Sequence, residues 1–189
     1  MRRATGDIVC RMSVPWLDII RDAIKNAVLA LATVDSNGHP RVRSVICRRI
    51  DDDGSLLITT DARSDKHAQL RSHAEAAAVI WLEETREQVR FVGRVEILGA
   101  DSSSQERIEL WQEMPPQSRA MFFWPTPGLP RESDDAAFLS SSEAMLPPVV
   151  FEVLKLRPKQ VEYLGLTAHP HLRLRWTMGE RWECEELNP

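Results

Sequence analysis

P-R-V-R-S-V-I-C-R-R-I-D-D-D-G-S-L-L-I-T-T-D-A-R-S-D-K, Pro40 to Lys66, reads as a strand, a tight acidic-Gly turn, a second strand and a helix start. Period-two alternation puts Arg41, Arg43, Val45, Cys47 and Arg49 on one face of the first strand, with Ser44, Ile46 and Arg48 on the other. Arg43 and Arg48 are therefore expected to serve different groups. Thr59, Thr60, Ser64 and Lys66 bring hydroxyls, an ammonium and free backbone N–H groups to one helix start. That combination suits a bound phosphate, because a helix N-terminus already favours anions. The alternative for each block is plain: solvated charges on an edge strand, or a capped helix with a surface lysine.

Working outward, W-L-D-I-I-R-D-A-I-K-N-A after Pro15 has helical apolar spacing, and V-L-A-L-A-T-V (28–34) ends at the hairpin signal D-S-N-G. A-A-A-V-I-W (76–81) reads as a buried strand. In Q-V-R-F-V-G-R-V-E-I-L, Val89, Phe91, Val95 and Ile97 share a face, and Gly93 admits a close approach. Residues 102–114 predict a capped helix, and 124–148, with five prolines, an irregular loop with one short helix. V-V-F-E-V-L-K-L, Q-V-E-Y-L-G-L, R-L-R-W-T-M and R-W-E-C-E-E-L are expected as separate strands. Six or more strands joined by hairpins with few helices indicate a mainly β (α+β) antiparallel barrel with peripheral helices. Residues 1–13 are expected as a flexible leader and 14–189 as one domain.

Composition narrows the function. A net charge of −4 over 189 residues argues against nucleic acid as the main partner. Arg41, Arg43, Arg48 and Arg49 are nonetheless crowded together, which favours a small anionic ligand. Three cysteines without metal spacing predict neither a disulfide framework nor a metal site, and a reducing cytoplasm. No apolar run approaches the roughly 20 residues of a membrane span. The G-x-x-x-x-G-K and G-x-G-x-x-G phosphate loops are absent.

P-R-V-R-S-V-I-C-R-R-I-D-D-D-G, T-T-D-A-R-S-D-K and R-E-Q-V-R-F-V-G-R-V-E together resemble the FMN-binding core of the pyridoxamine 5'-phosphate oxidase family. The chain is most similar to a divergent branch with T-D-x-R-S-x-K (Thr60–Lys66), R-E-Q (Arg86–Gln88), W-P-x-P-G (Trp124–Gly128) and P-H-x-R (Pro170–Arg173). The resemblance implies a six-stranded FMN-binding split β-barrel, a homodimer with FMN at its interface, and a small-molecule substrate. It further implies that Arg43 and Lys66 hold the FMN phosphate with hydroxyls of Thr59, Thr60 and Ser64 beside them. Ser44, Val45 and Ile46 would lie along the ribityl chain and ring, Gln88 on the polar edge of the isoalloxazine, and Arg173 against the flavin.

The chain departs from the family pattern at the substrate. The family's substrate-phosphate lysine is Arg48 here, its tyrosine falls near Leu110 and its arginine near Met114, while Ser118 is retained. A flavin-contacting tryptophan appears as Leu164, and the Arg and His of the substrate segment as His169 and His171. These departures imply an FMN-dependent oxidoreductase with an altered substrate-phosphate pocket. A non-catalytic flavin carrier or sensor, and a genuine pyridoxamine 5'-phosphate oxidase, are the alternatives.

Overall fold

In a computed structural model the chain is described over residues 14–24, 27–101 and 104–189; the expected leader, with Cys10, lies outside them. Helix α1 (Leu17–Ile24) precedes β1 (Val28–Val34), β2 (Pro40–Ile50) and β3 (Leu56–Asp61). Then come α2 (Asp65–Ser72), β4 (Glu75–Leu82), β5 (Glu87–Leu98), α3 (Gln105–Glu113) and α4 (Pro116–Ala120). Strands β6 (Phe151–Gly165), β7 (Leu172–Met178) and β8 (Trp182–Leu187) complete the chain. The two predicted hairpin turns form where glycine can supply a left-handed residue: Gly38 and Gly54 both have φ of +81°.

The strands run β3-β2-β1-β4-β5-β6-β7-β8, all antiparallel, and β3 also pairs with β6. That last pairing closes β1–β6 into the expected six-stranded barrel. Four C-terminal strands were expected, but the first two are one. Strand β6 runs through Arg157-Pro158-Lys159, with its first half pairing β3 and β5, and its second half β5 and β7. Proline is tolerated there because the β5 register shifts between Val92 and Gly93, opposite Pro158. Gly93 is the other half of that arrangement. A Cβ on it would stand 2.1 Å from the Arg157 carbonyl oxygen, so the close approach expected at this glycine is made by the neighbouring strand.

A second irregularity corrects the alternation read in β2. Cys47 pairs with Ile58 and Arg49 with Leu57, which leaves Arg48 as an extra residue. The bulge hands the inward position to Ile50. Arg49, expected on the Cys47 face, leaves the core and donates to Asp51 and to Glu109 on α3, both at 3.1 Å.

The barrel interior is filled by Trp16, Leu29, Leu31, Cys47, Phe91 and their neighbours. Burial pushes the Cys47 thiol up to about 12, so it behaves as a small apolar group. A second core forms outside the barrel wall, where Trp111, Phe122 and Phe151 meet edge-to-face with centroids 4.9–5.8 Å apart. Arg107 on α3 donates to the Phe151 and Pro148 carbonyls at 2.8 and 2.7 Å. This outer core fixes both ends of the irregular segment that follows α4.

Candidate functional site

Strand β2 delivers Arg43 beside the start of α2. Its guanidinium donates to the Thr33 hydroxyl (2.6 Å), the Leu31 carbonyl (3.2 Å) and the Gln69 amide oxygen (2.7 Å), so its orientation is fixed from β1 and α2. Lys66, in the first turn of α2, donates to the Ser64 hydroxyl at 2.9 Å, and Ser64 in turn donates to the Asp61 carbonyl at 2.7 Å. Thr60 lies 3.5 Å from Ser64, hydroxyl to hydroxyl. Ser64 occupies the N-cap position of α2 as expected, yet its side chain caps no backbone N–H. Its carbonyl accepts from the His67 N–H at 3.0 Å, while its hydroxyl leaves the first-turn amides free of a side-chain cap.

Electrostatics agree with that geometry. Burial pulls the Lys66 ammonium below its ordinary 10.5, and the Arg43 charge lowers it further, with Asp61 and Asp65 opposing. Arg43 is likewise depressed by burial. Two partly desolvated cations repelling each other, beside hydroxyls and a helix start, make a site that gains from an anion.

Two cavities share this spot. One, of about 480 Å³, is lined by Arg43, Ser64, Lys66 and Gln69 together with Arg41 and the carboxylates of Asp35 and Asp65. The other, of about 550 Å³, also takes in Ser64 and Lys66, and runs along Ser44, Val45, Ile46, Thr59 and Thr60 to Arg48. Its far wall is the irregular segment after α4, through Trp124, Leu129 and Phe138. That wall is tied down. Arg63 grips the Asp61 carboxylate with two nitrogens and donates to the Trp124 carbonyl at 2.9 Å, while Trp124 Nε1 donates to the Leu139 carbonyl at 2.8 Å. Arg48 reaches the cavity from the bulge. Its Nε is buried with no hydrogen-bond partner, and burial alone lowers its pKa.

Arg43, Ser44, Val45, Ile46, Thr59, Thr60, Ser64 and Lys66 thus gather round the two cavities as the sequence reading grouped them, and Arg48 falls in the second, apart from Arg43. Gln88 and Arg173 do not join them. Both are register partners of Leu164, on β5 and β7 either side of β6, and they line a separate narrow cleft with Glu162 and Tyr163. Gln88 turns its amide oxygen to Arg90 (3.1 and 3.3 Å), and Arg173 donates to Glu162 at 2.9 Å. Burial works against the Glu162 charge, but the hydrogen bonds from Arg173 and Arg175 outweigh it and hold the carboxyl below its usual range.

Ser118 is half-buried on α4 and lines neither cavity; Met114 and Met121 on either side of it line the larger one. His169 and His171 are exposed between β6 and β7, with His171 Nδ1 3.0 Å from the Ala168 carbonyl. Leu110 is buried in the outer core. The sequence reading missed Thr33 and Gln69, which aim Arg43, and Arg63, which ties the loop wall to the end of β3. Only Arg63 carried a signal, as a charged residue between Asp61 and Ser64.

The sequence matches the family model described as pyridoxamine 5'-phosphate oxidase, FMN-binding domain, over residues 13–99, which take in β1 to β5. A pyridoxine/pyridoxamine 5'-phosphate oxidase 2 of Arabidopsis thaliana is 29% identical over 193 residues, covering 93% of this chain and 97% of the relative. A pyridoxine/pyridoxamine 5'-phosphate oxidase of Sinorhizobium fredii is 30% identical over 191 residues, covering 92% and 89%. The crystal structure of a pyridoxamine 5'-phosphate oxidase-related, FMN binding protein from Nostoc punctiforme superposes with a TM-score of 0.84 at 33% identity, covering 93% of this chain and 98% of that one. Sequence and barrel agree along almost the whole length, and the chain belongs to the pyridoxamine 5'-phosphate oxidase-related family of FMN-binding proteins.

Proposed function

We propose that residues 14–189 form one domain of a cytoplasmic, homodimeric FMN-dependent oxidoreductase acting on a small molecule. The observation that carries the cofactor is the Arg43–Lys66 pair, two partly buried cations held beside the Thr60 and Ser64 hydroxyls and a helix start. A phosphate dianion relieves their repulsion and accepts from all of them. From there Ser44 to Ile46 flank the ribityl chain and ring in the larger cavity, with Thr59 beside them. FMN supplies the redox step itself. The protein binds it, orients it and shuts out water.

Gln88 and Arg173 complete the site from a second copy. In one chain they line a cleft that shares no residue with the two cavities, so a joint site sets one subunit's Lys66 facing Gln88 and Arg173 of the partner subunit. With its oxygen on Arg90, the Gln88 amide keeps two N–H donors for a ring acceptor. The outer faces of β1, β2, β4 and β5 expose Val28, Val42, Trp81 and Val92, apolar surface suited to such a contact. Arg48, Ser118, His169 and His171 are assigned to the substrate. Met114, apolar in the cavity, favours a substrate other than pyridoxamine 5'-phosphate.

Two expected results test this. Purified protein quenches FMN fluorescence, and a protein that never does so refutes the cofactor. A dimer mixing a Lys66→Met chain with an Arg173→Ala chain regains one native site, and so about half the FMN of the wild type, whereas each variant alone binds weakly. Failure of the mixture to exceed both parents refutes the shared site.

Affinity should also fall as pH rises through the lowered pKa of Lys66. Lys66 must keep its proton to hold phosphate, and its pKa lies below 10.5 before binding. Binding on the alkaline side therefore takes up a proton, weakening FMN by at most about tenfold per pH unit. Lys66→Met flattens that dependence in a fluorescence titration.

A further inference from the structure

The molecule has two cationic subsites of different build on one strand, and the contrast identifies what the second one takes. Arg43 and Arg48 are five residues apart on β2, about 16 Å along an extended chain. The first subsite has two cations, hydroxyls and a helix start. The second is built on Arg48, whose Nε has no partner.

Two other cations line the same cavity, Lys66 at the FMN phosphate and Arg131 on the loop wall, but neither is an unpaired guanidinium like Arg48. Arg49 is committed to Asp51 and Glu109, and Arg131 on the loop wall pairs with Asp135 and stacks on Phe138 with 5.0 Å to the ring centroid. The Glu132 carboxylate also lines this cavity, which works against a second negative charge on a guest, whereas that of Asp61 is paired with Arg63. The same cavity carries a large apolar share of lining from Met114, Met121, Phe122, Trp124 and Phe138. One guanidinium presents a planar fork that matches a carboxylate with two parallel hydrogen bonds. Its Nε is already buried and lacks an acceptor.

We infer that the Arg48 subsite binds a flat apolar ring bearing a carboxylate, rather than a phosphate ester, with Arg48 gripping the carboxylate and the methionine–aromatic wall covering the ring. This rests on the FMN reading above, since FMN fills the Lys66 end of the same cavity. The arrangement makes Arg48 a binding residue for a monoanion. Specificity against phosphate esters follows from the missing second unpaired cation.

The test is a titration of FMN-loaded protein with 1-naphthoate, 1-naphthyl phosphate and 1-naphthalenemethanol, read by perturbation of the flavin absorbance and by calorimetry. Naphthoate is expected to bind at least tenfold more tightly than either of the others. Arg48→Met should weaken naphthoate at least tenfold while leaving FMN quenching unchanged and the melting temperature at or above that of the wild type. Should Arg48→Met fail to fold, Arg48→Lys decides: it keeps the charge but loses the fork, and should still weaken naphthoate severalfold. A phosphate ester that binds as tightly as naphthoate overturns the inference, as does unchanged naphthoate affinity in the folded variant. Absence of FMN quenching refutes the cofactor reading instead, and calorimetry of naphthoate against cofactor-free protein then decides this one alone.

Discussion

Lys66→Met is expected to weaken FMN about a hundredfold and to leave riboflavin, which lacks the phosphate, unchanged. A charge-assisted hydrogen bond contributes roughly 1.5–3 kcal/mol. Half-buried and beside Arg43, Lys66 belongs near the top of that range, and about 2.8 kcal/mol is a hundredfold. The same substitution should not weaken the fold. Without ligand, Lys66 is penalised by burial and by Arg43, so the cofactor-free variant is expected to melt at or above the wild-type temperature. Paired FMN and riboflavin titrations, with thermal melts of cofactor-free protein, check both halves. Equal losses for both ligands would place the phosphate elsewhere.

Gly93→Ala is expected to be the most damaging single-methyl change in the barrel. The added Cβ would meet the Arg157 carbonyl oxygen at 2.1 Å and the Pro158 Cα at 2.8 Å. These are backbone atoms of a strand held by β5 on one side and β3 or β7 on the other, so no side chain can swing away. Overpacking of this kind costs about 3 kcal/mol or more. At this chain length that lowers Tm by about 6–12 °C. A calorimetric scan reads it directly, and a shift under about 2 °C would mean that β6 can move aside.

Local chemistry made the barrel legible. D-S-N-G and D-D-D-G each supply a glycine where the turn needs positive φ, and the period-two runs between them became β1, β2 and β3. The grouping of Arg43, Thr60, Ser64 and Lys66 was legible for the same reason, because they sit on adjoining elements. What failed depended on partners distant in sequence. Pro158 looks like a strand end until Gly93 is known to lie opposite it. The extra residue at Arg48 follows from how β3 pairs with β2, and nothing in R-V-R-S-V-I-C-R-R-I announces it. The wall from Trp124 to Phe138 has no period at all. Its position comes from Arg63 and from the outer core around Trp111.

Strand β6 serves two structures in succession, and this has a dynamic consequence. Its first half is a stave of a closed ring, while beyond the barrel its second half carries β7 and then β8, an outer strand with Glu183, Glu185 and Glu186. Closed rings open only cooperatively, whereas a terminal hairpin opens once Trp176 and Trp182 leave the core they pack against. Amides of β7 and β8 should therefore exchange with deuterium far sooner than those of β1 to β5. Arg173 rides on that hairpin, whereas Lys66 is anchored to the ring. If both hold FMN as proposed, release of the cofactor begins with fraying at the edge of the sheet and leaves the barrel intact, ready to be refilled.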